Sequence, residues 1–124
     1  MGKFVIRQVA TGYKFDLLAG NGQSIATGEV YETLAACKKG IQSVQKSAAK
    51  AHMADLTEEG KLPSNPRFEL FQDKAGEYRF RLKARNGQVV AVSENYSTKA
   101  ACEGGIESVQ KNAADAMIEI KTEA

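Results

Sequence analysis

The chain has no tryptophan, one histidine (His52), two cysteines and two prolines among its 124 residues. A single histidine without any CxxC pair supplies neither a zinc ligand set nor the partner of a Cys-His nucleophile. No apolar run reaches the ~18 residues that a membrane-spanning helix needs, and the N-terminus passes directly into strand-like alternation without the apolar core of a signal peptide. A soluble, cytoplasmic protein without membrane contact is expected. Excess charge of one sign is absent too: 17 Lys and Arg stand against 15 Asp and Glu, a net of +2, so neither an acidic tail nor a basic arm is present. P-loop, strand–GxGxxG–helix and nucleophile-elbow patterns are missing, and the carboxylates are scattered rather than paired. Catalysis is not expected, and no cofactor or metal is implied.

What is present is a globular composition, 43% hydrophobic and 26% charged, in a length that suits one core. The main feature is an internal repeat. A shift of 65 positions lays Asn21-Gly22-Gln23 on Asn86-Gly87-Gln88, Tyr31 on Tyr96, Thr33 on Thr98 and Ala35-Ala36-Cys37 on Ala100-Ala101-Cys102. The match continues through Gly40-Ile41 on Gly105-Ile106 and Ser43-Val44-Gln45-Lys46 on Ser108-Val109-Gln110-Lys111. Upstream the shift is 64, with Phe4 on Phe68, Ile6 on Leu70 and Gly12 on Gly76; Glu77 is the extra residue at a turn. One domain of two modules follows: repeat 1 over 1–57, a polar linker over 58–66 that carries both prolines, and repeat 2 over 67–124.

Each module reads strand, strand, strand, helix and short closing strand. Tyr13, Phe15 and Leu17, like Tyr78, Phe80 and Leu82, recur with the period of two of a half-buried strand. Asn21-Gly22 and Asn86-Gly87 then predict two-residue hairpins of type I′, with positive φ at both central residues. Thr33 and Thr98 are the predicted helix N-caps. Cys37, Ile41, Val44, Ala48 and Ala51 form an apolar stripe at helical spacing, repeated as Cys102, Ile106, Val109, Ala113 and Ala116. The cysteines are expected as free thiols in the core. Gly40 and Gly105, costly inside a helix, predict a close approach to a neighbouring backbone. Met53–Thr57 and Met117–Lys121 are the expected closing strands; periodicity leaves their partners open.

The second copy, through Asn86-Gly87-Gln88, Glu94-Asn95-Tyr96, Thr98-Lys99, Gly105-Ile106-Glu107-Ser108-Val109 and Lys111-Asn112-Ala113, resembles the YegP-like family of small uncharacterised bacterial proteins. The first copy departs from it, with Ser24, Val30 and Ser47 where the second has Val89, Asn95 and Asn112. The resemblance implies an α+β fold in which β3-α-β units, used in tandem or as two subunits, share one sheet and exchange their last strands. It implies no catalytic residue.

The expected fold is therefore one mainly antiparallel sheet with two helices on one side and a pseudo-twofold between the repeats. With the second half already supplied in the chain, a monomer is expected. The function expected is a non-catalytic binding or interaction module with an unknown partner. The alternative is contact with nucleic acid or another polyanion through Arg79, Arg81, Lys83 and Arg85, which alternate along one predicted strand face at about 6.6 Å. A second candidate is symmetric: Tyr31 with Thr33, and Tyr96 with Thr98, stand at the two strand-to-helix junctions, where first-turn amides can meet an anion.

Overall fold

A computed structural model describes residues 2–121; the expected outer ends of the repeats, Met1 and residues 122–124, lie outside them. Ten elements run β1 (Lys3–Val9), β2 (Gly12–Leu18), β3 (Ser24–Thr27), α1 (Leu34–Lys50), β4 (His52–Asp55), β5 (Arg67–Gln72), β6 (Tyr78–Lys83), β7 (Val89–Ser93), α2 (Lys99–Ala113) and β8 (Met117–Lys121). The strands make one sheet in the order β4-β5-β6-β7-β3-β2-β1-β8.

That order is its own mirror when the repeats are interchanged, with a pseudo-twofold between β3 and β7. Those two pair antiparallel across the centre, Ala26 opposite Ser93 and Thr27 opposite Val92. The closing strands are exchanged: β4 of repeat 1 runs parallel to β5 of repeat 2, and β8 of repeat 2 runs parallel to β1 of repeat 1. All other neighbouring pairs are antiparallel.

The alternation sets which face is covered. Phe4, Ile6, Phe15 and Leu17 of repeat 1 and Phe68, Leu70, Phe80 and Leu82 of repeat 2 enter one core, closed by the stripes of both helices. Within it Phe4 meets Phe15 edge-on at 5.7 Å between ring centroids, and Phe68 meets Phe80 at 6.0 Å. Both helices therefore lie on the same side. Cys37 and Cys102 are free and buried in this core, and burial, helped by Glu103, pushes the Cys102 thiol up to about 11, far from a reactive thiolate.

The helices also close each other. Gln45 of α1 donates its side-chain N–H to the Ala113 carbonyl at the end of α2, 3.0 Å. Reciprocally, Gln110 donates to the Ala51 and Ala48 carbonyls at the end of α1, 3.2 and 3.4 Å. Carbonyls at the end of each helix, where the intrahelical amide donors run out, thus accept from a side chain of the other repeat.

The hairpins differ from the type I′ expectation. Among the described residues none but glycine has positive φ. Gly22 donates to the Ala19 carbonyl and Ala19 to that of Gln23, with the same pair between Gly87, Ala84 and Gln88. These are three-residue connections, a type I turn closed by a glycine in the left-handed region (φ +84° and +85°) that forms a bulge. Asn21 and Asn86 instead accept from the amides of Gln23 and Gln88 through their side chains, which holds the turn without a positive φ of their own.

Candidate functional site

The face of the sheet opposite the helices is open, and the register decides what stands on it. On β1 and β2 the residues pointing away from the core are Lys3, Val5 and Arg7, paired with Leu18, Asp16 and Lys14. On β8 they are Met117, Glu119 and Lys121. On β5 and β6 they are Arg67, Glu69 and Phe71, paired with Lys83, Arg81 and Arg79. Among the described strand residues this face thus carries eight lysines and arginines against three carboxylates, in a chain of net +2. The positive charge is concentrated on one side.

Three of the four stripe residues lie on that face. Arg79, Arg81 and Lys83 follow one another on β6, whereas Arg85 sits exposed in the β6–β7 turn, because Ala84–Gly87 is used for the connection. The stripe is also less free than a solvated strand face. Glu69, only 1% exposed, lies among these cations. Arg81 reaches one of its oxygens at 2.6 Å, while Arg67 at 2.5 Å and Lys83 at 3.4 Å reach the other. The Arg81 guanidinium also covers the Phe71 ring at 4.6 Å. Burial works to raise the Glu69 pKa, but hydrogen bonds from Arg81 and Arg67 and the charges of Arg81 and Lys83 outweigh it and hold it below the ordinary glutamate value. Exchanging the cations of the stripe for neutral residues therefore strips a buried carboxylate of its partners. Sequence alternation placed the cations; Glu69 was not legible as their counterion, because it lies on another strand.

Repeat 1 lacks this arrangement. Its equivalents of Glu69, Arg81 and Lys83 are Val5, Asp16 and Leu18, and only Lys14 matches a stripe cation, Arg79. Arg7 pairs with Asp16 at 3.0 Å and Lys3 with Glu119 at 3.5 Å.

The junction residues serve the fold. Thr33 and Thr98 accept from the Ala36 and Ala101 amides, at 3.0 and 3.1 Å, so each hydroxyl occupies a first-turn donor. Tyr31 and Tyr96 exchange backbone hydrogen bonds with Tyr13 and Tyr78, and their rings stack on Phe15 and Phe80 at 6.3 Å. Burial, then the neighbouring Cys37 and Glu29 or Cys102 and Glu94, raise both phenol pKa values.

The tyrosines explain the helix glycines. A Cβ on Gly40 would stand 2.3 Å from the Tyr31 hydroxyl oxygen, and one on Gly105 2.3 Å from that of Tyr96 and 3.0 Å from Phe80. The close neighbour is a side chain, not the backbone expected from the sequence. Gly105→Ala gains up to about 1 kcal/mol of helix propensity but must displace a stacked ring, for which overpacking costs about 1–3 kcal/mol. A net loss of about 1 kcal/mol is expected in urea unfolding. The loss should disappear in the double variant Gly105→Ala with Tyr96→Leu, measured against Tyr96→Leu alone.

Elsewhere, a recess of about 660 Å³ between the β2–β3 turn and the start of β8 is lined by Ala19–Gly22, Met117–Glu119, Gly2 and Lys3, whose one carboxylate and one amine pair with each other. No group of three His, Cys, Asp or Glu that could hold a metal occurs among the described residues, and no helix among them is long and apolar enough to cross a membrane.

The model of a domain of unknown function, DUF1508, matches twice, over residues 9–55 and 73–119. A UPF0339 protein of Bordetella pertussis is 37% identical over 123 residues, covering 99% of this chain and 98% of its own. A UPF0339 protein of Treponema denticola is 58% identical over 52 residues, which are 42% of this chain but 90% of that one. That relative has the length of a single module. Among solved structures, the solution structure of the Escherichia coli protein of unknown function yegP superposes with a TM-score of 0.81 at 29% identity, covering 99% of this chain and 95% of that one.

Proposed function

Because the chain belongs to the DUF1508 family of UPF0339 proteins, which brings a fold and no reaction, we propose from its own geometry that it is a non-catalytic binding module. Its open sheet face takes a polyanion of nucleic-acid type. The observation that carries this reading is the separation of charge: eight cations against three carboxylates on one face, while the chain as a whole is nearly neutral. A flat array with strands about 4.8 Å apart presents its cations to a phosphate backbone from one side. Among the described strand residues of this face Phe71 is the one phenylalanine, tyrosine or tryptophan, and Arg81 covers it, which leaves its ring unavailable for base stacking. Phosphate contact without base contact gives affinity without sequence preference.

The experiment is a titration of mixed-sequence single-stranded RNA and DNA at two salt concentrations. If about four phosphates are neutralised, affinity is expected to fall about 50-fold between about 50 and 200 mM salt, equally for unrelated sequences. Binding that is absent at low salt, or indifferent to salt, ends the reading.

A further inference from the structure

We infer that the phosphates of such a ligand are held chiefly in the second repeat, by Arg79, Arg81 and Lys83, and that Glu69 is the positioning residue that fixes the last two. This rests on the polyanion reading above.

The donors on these cations show which remain available. Arg67 engages all three of its nitrogens, Nε and Nη2 with Glu69 and Nη1 with the Pro63 carbonyl; it is a strut. Arg81 engages only Nε with Glu69, and its plane is fixed over Phe71, so both terminal amino groups are left for a ligand. Lys83 makes one contact at 3.4 Å. Arg79 makes a single bond from Nη2 to the Ser93 carbonyl, also 3.4 Å. Alternate residues of β6 thus present unspent N–H donors on one face in a fixed row.

Glu69 needs a reason to be there. Repeat 1 folds with Val5 at the same place, 7% exposed, so the module pattern does not require a carboxylate. In the middle of a cationic face, a buried glutamate lowers the attraction for a polyanion by one charge. It helps binding only by ordering long side chains in advance, which removes the entropy otherwise lost when a ligand immobilises them. The two effects have opposite signs, and that makes the role measurable.

Two variants separate them. Glu69→Gln and Glu69→Val add the same one unit of positive charge, but Gln keeps one acceptor oxygen, enough for either Arg81 or Arg67, while Val keeps none. With single-stranded RNA of mixed sequence at about 50 mM salt, the expected order of affinity is parent, then Gln, then Val. The Val variant should be weaker by about tenfold and have a shallower salt slope. Affinities that rise equally in both variants would show that face charge alone counts and would overturn the positioning role. A thermal melt of each variant establishes that it is folded; should Val fail to fold, the Gln variant decides by the same sign. Location is tested in parallel: Arg81→Gln should weaken binding several-fold more than Lys14→Gln, and equal losses would overturn the assignment to repeat 2. A parent protein that binds no RNA removes the polyanion reading itself, and this inference with it.

Discussion

Severed in the linker and separated from the first repeat, the chain from residue 67 onward is expected to fold only as a dimer, or not at all. In the intact protein β8 leaves its own repeat to pair with β1, and β5 receives β4 from the other. An isolated second repeat has a closing strand with no acceptor and a β5 edge with no cover, and its Gln110 loses the Ala48 and Ala51 carbonyls. A second copy repairs all three at once, because the two repeats are related by the pseudo-twofold and Ala113 occupies the place of Ala48. About 60 residues alone also bury too little surface to be secure. The match to a Treponema denticola chain of one module's length fits a module that exists outside a tandem chain. Light scattering at about 10 µM, with circular dichroism to follow folding, is the measurement. The intact protein should run at its monomer mass and the isolated repeat at twice its own. A folded, monomeric repeat would show that β8 can close its own module and that the exchange is dispensable.

Replacing Glu69 by Ala should destabilise the protein by about 2–3 kcal/mol near neutral pH. Removing one member of a buried ion pair costs about 3–5 kcal/mol when its partner is left fully buried. Here the partners Arg67, Arg81 and Lys83 keep 21%, 33% and 26% of their side chains exposed, so water recovers part of that. The pH dependence follows from the sign of the shift. Glu69 titrates below the ordinary glutamate value in the folded state. Its contribution is therefore complete above the unfolded pKa of about 4.3, and is lost as pH falls through the folded value. The gap between parent and variant in urea unfolding should be constant from about pH 6 to 8 and narrow below about pH 4.3. Asp55, held at about 2 because hydrogen bonds from Thr57 and Lys99 and the Lys99 charge outweigh the effect of burial, is present in both proteins and cancels. A gap that stays constant to about pH 3 would mean that the carboxylate charge contributes nothing and that Glu69 only fills space.

How much of this was legible in the chain depends on the range over which each feature is decided. Val5 and Glu69 illustrate it: they occupy the same place in the repeat and the same face of the sheet. Alternation alone gives both as residues of the open face. Little that is local separates a valine beside Asp16 from a glutamate under Arg81 and Lys83, since Asp16 and those two cations come from strands brought alongside by hairpin register; only Arg67 stands on the same strand as Glu69. Gly40 and Gly105 likewise announce a close approach by their cost in a helix, but the ring that approaches belongs to Tyr31 or Tyr96, nine residues upstream and across a strand-to-helix junction.

The repeat, the order of elements in each module, the N-caps at Thr33 and Thr98, the face of each strand and helix that enters the core, and the placement of both cysteines within it are all legible in the chain alone. These rest on local periodicity and on hydrogen bonds spanning a few residues, so they survive in a one-dimensional record. The exchange of β4 and β8, the reciprocal capping by Gln45 and Gln110, the turn geometry at Asn21 and Asn86, and the burial of Glu69 under three cations emerge only when the chain is folded. The first two join groups 15 or more positions apart in the chain, and the last brings Arg81 and Lys83 to Glu69 from the neighbouring strand, through registers that no single strand encodes. The turn is short, but the bulges at Leu17/Leu18 and Leu82/Lys83 show that its geometry is set together with the pairing of whole strands, and that pairing is settled only when the shared core closes.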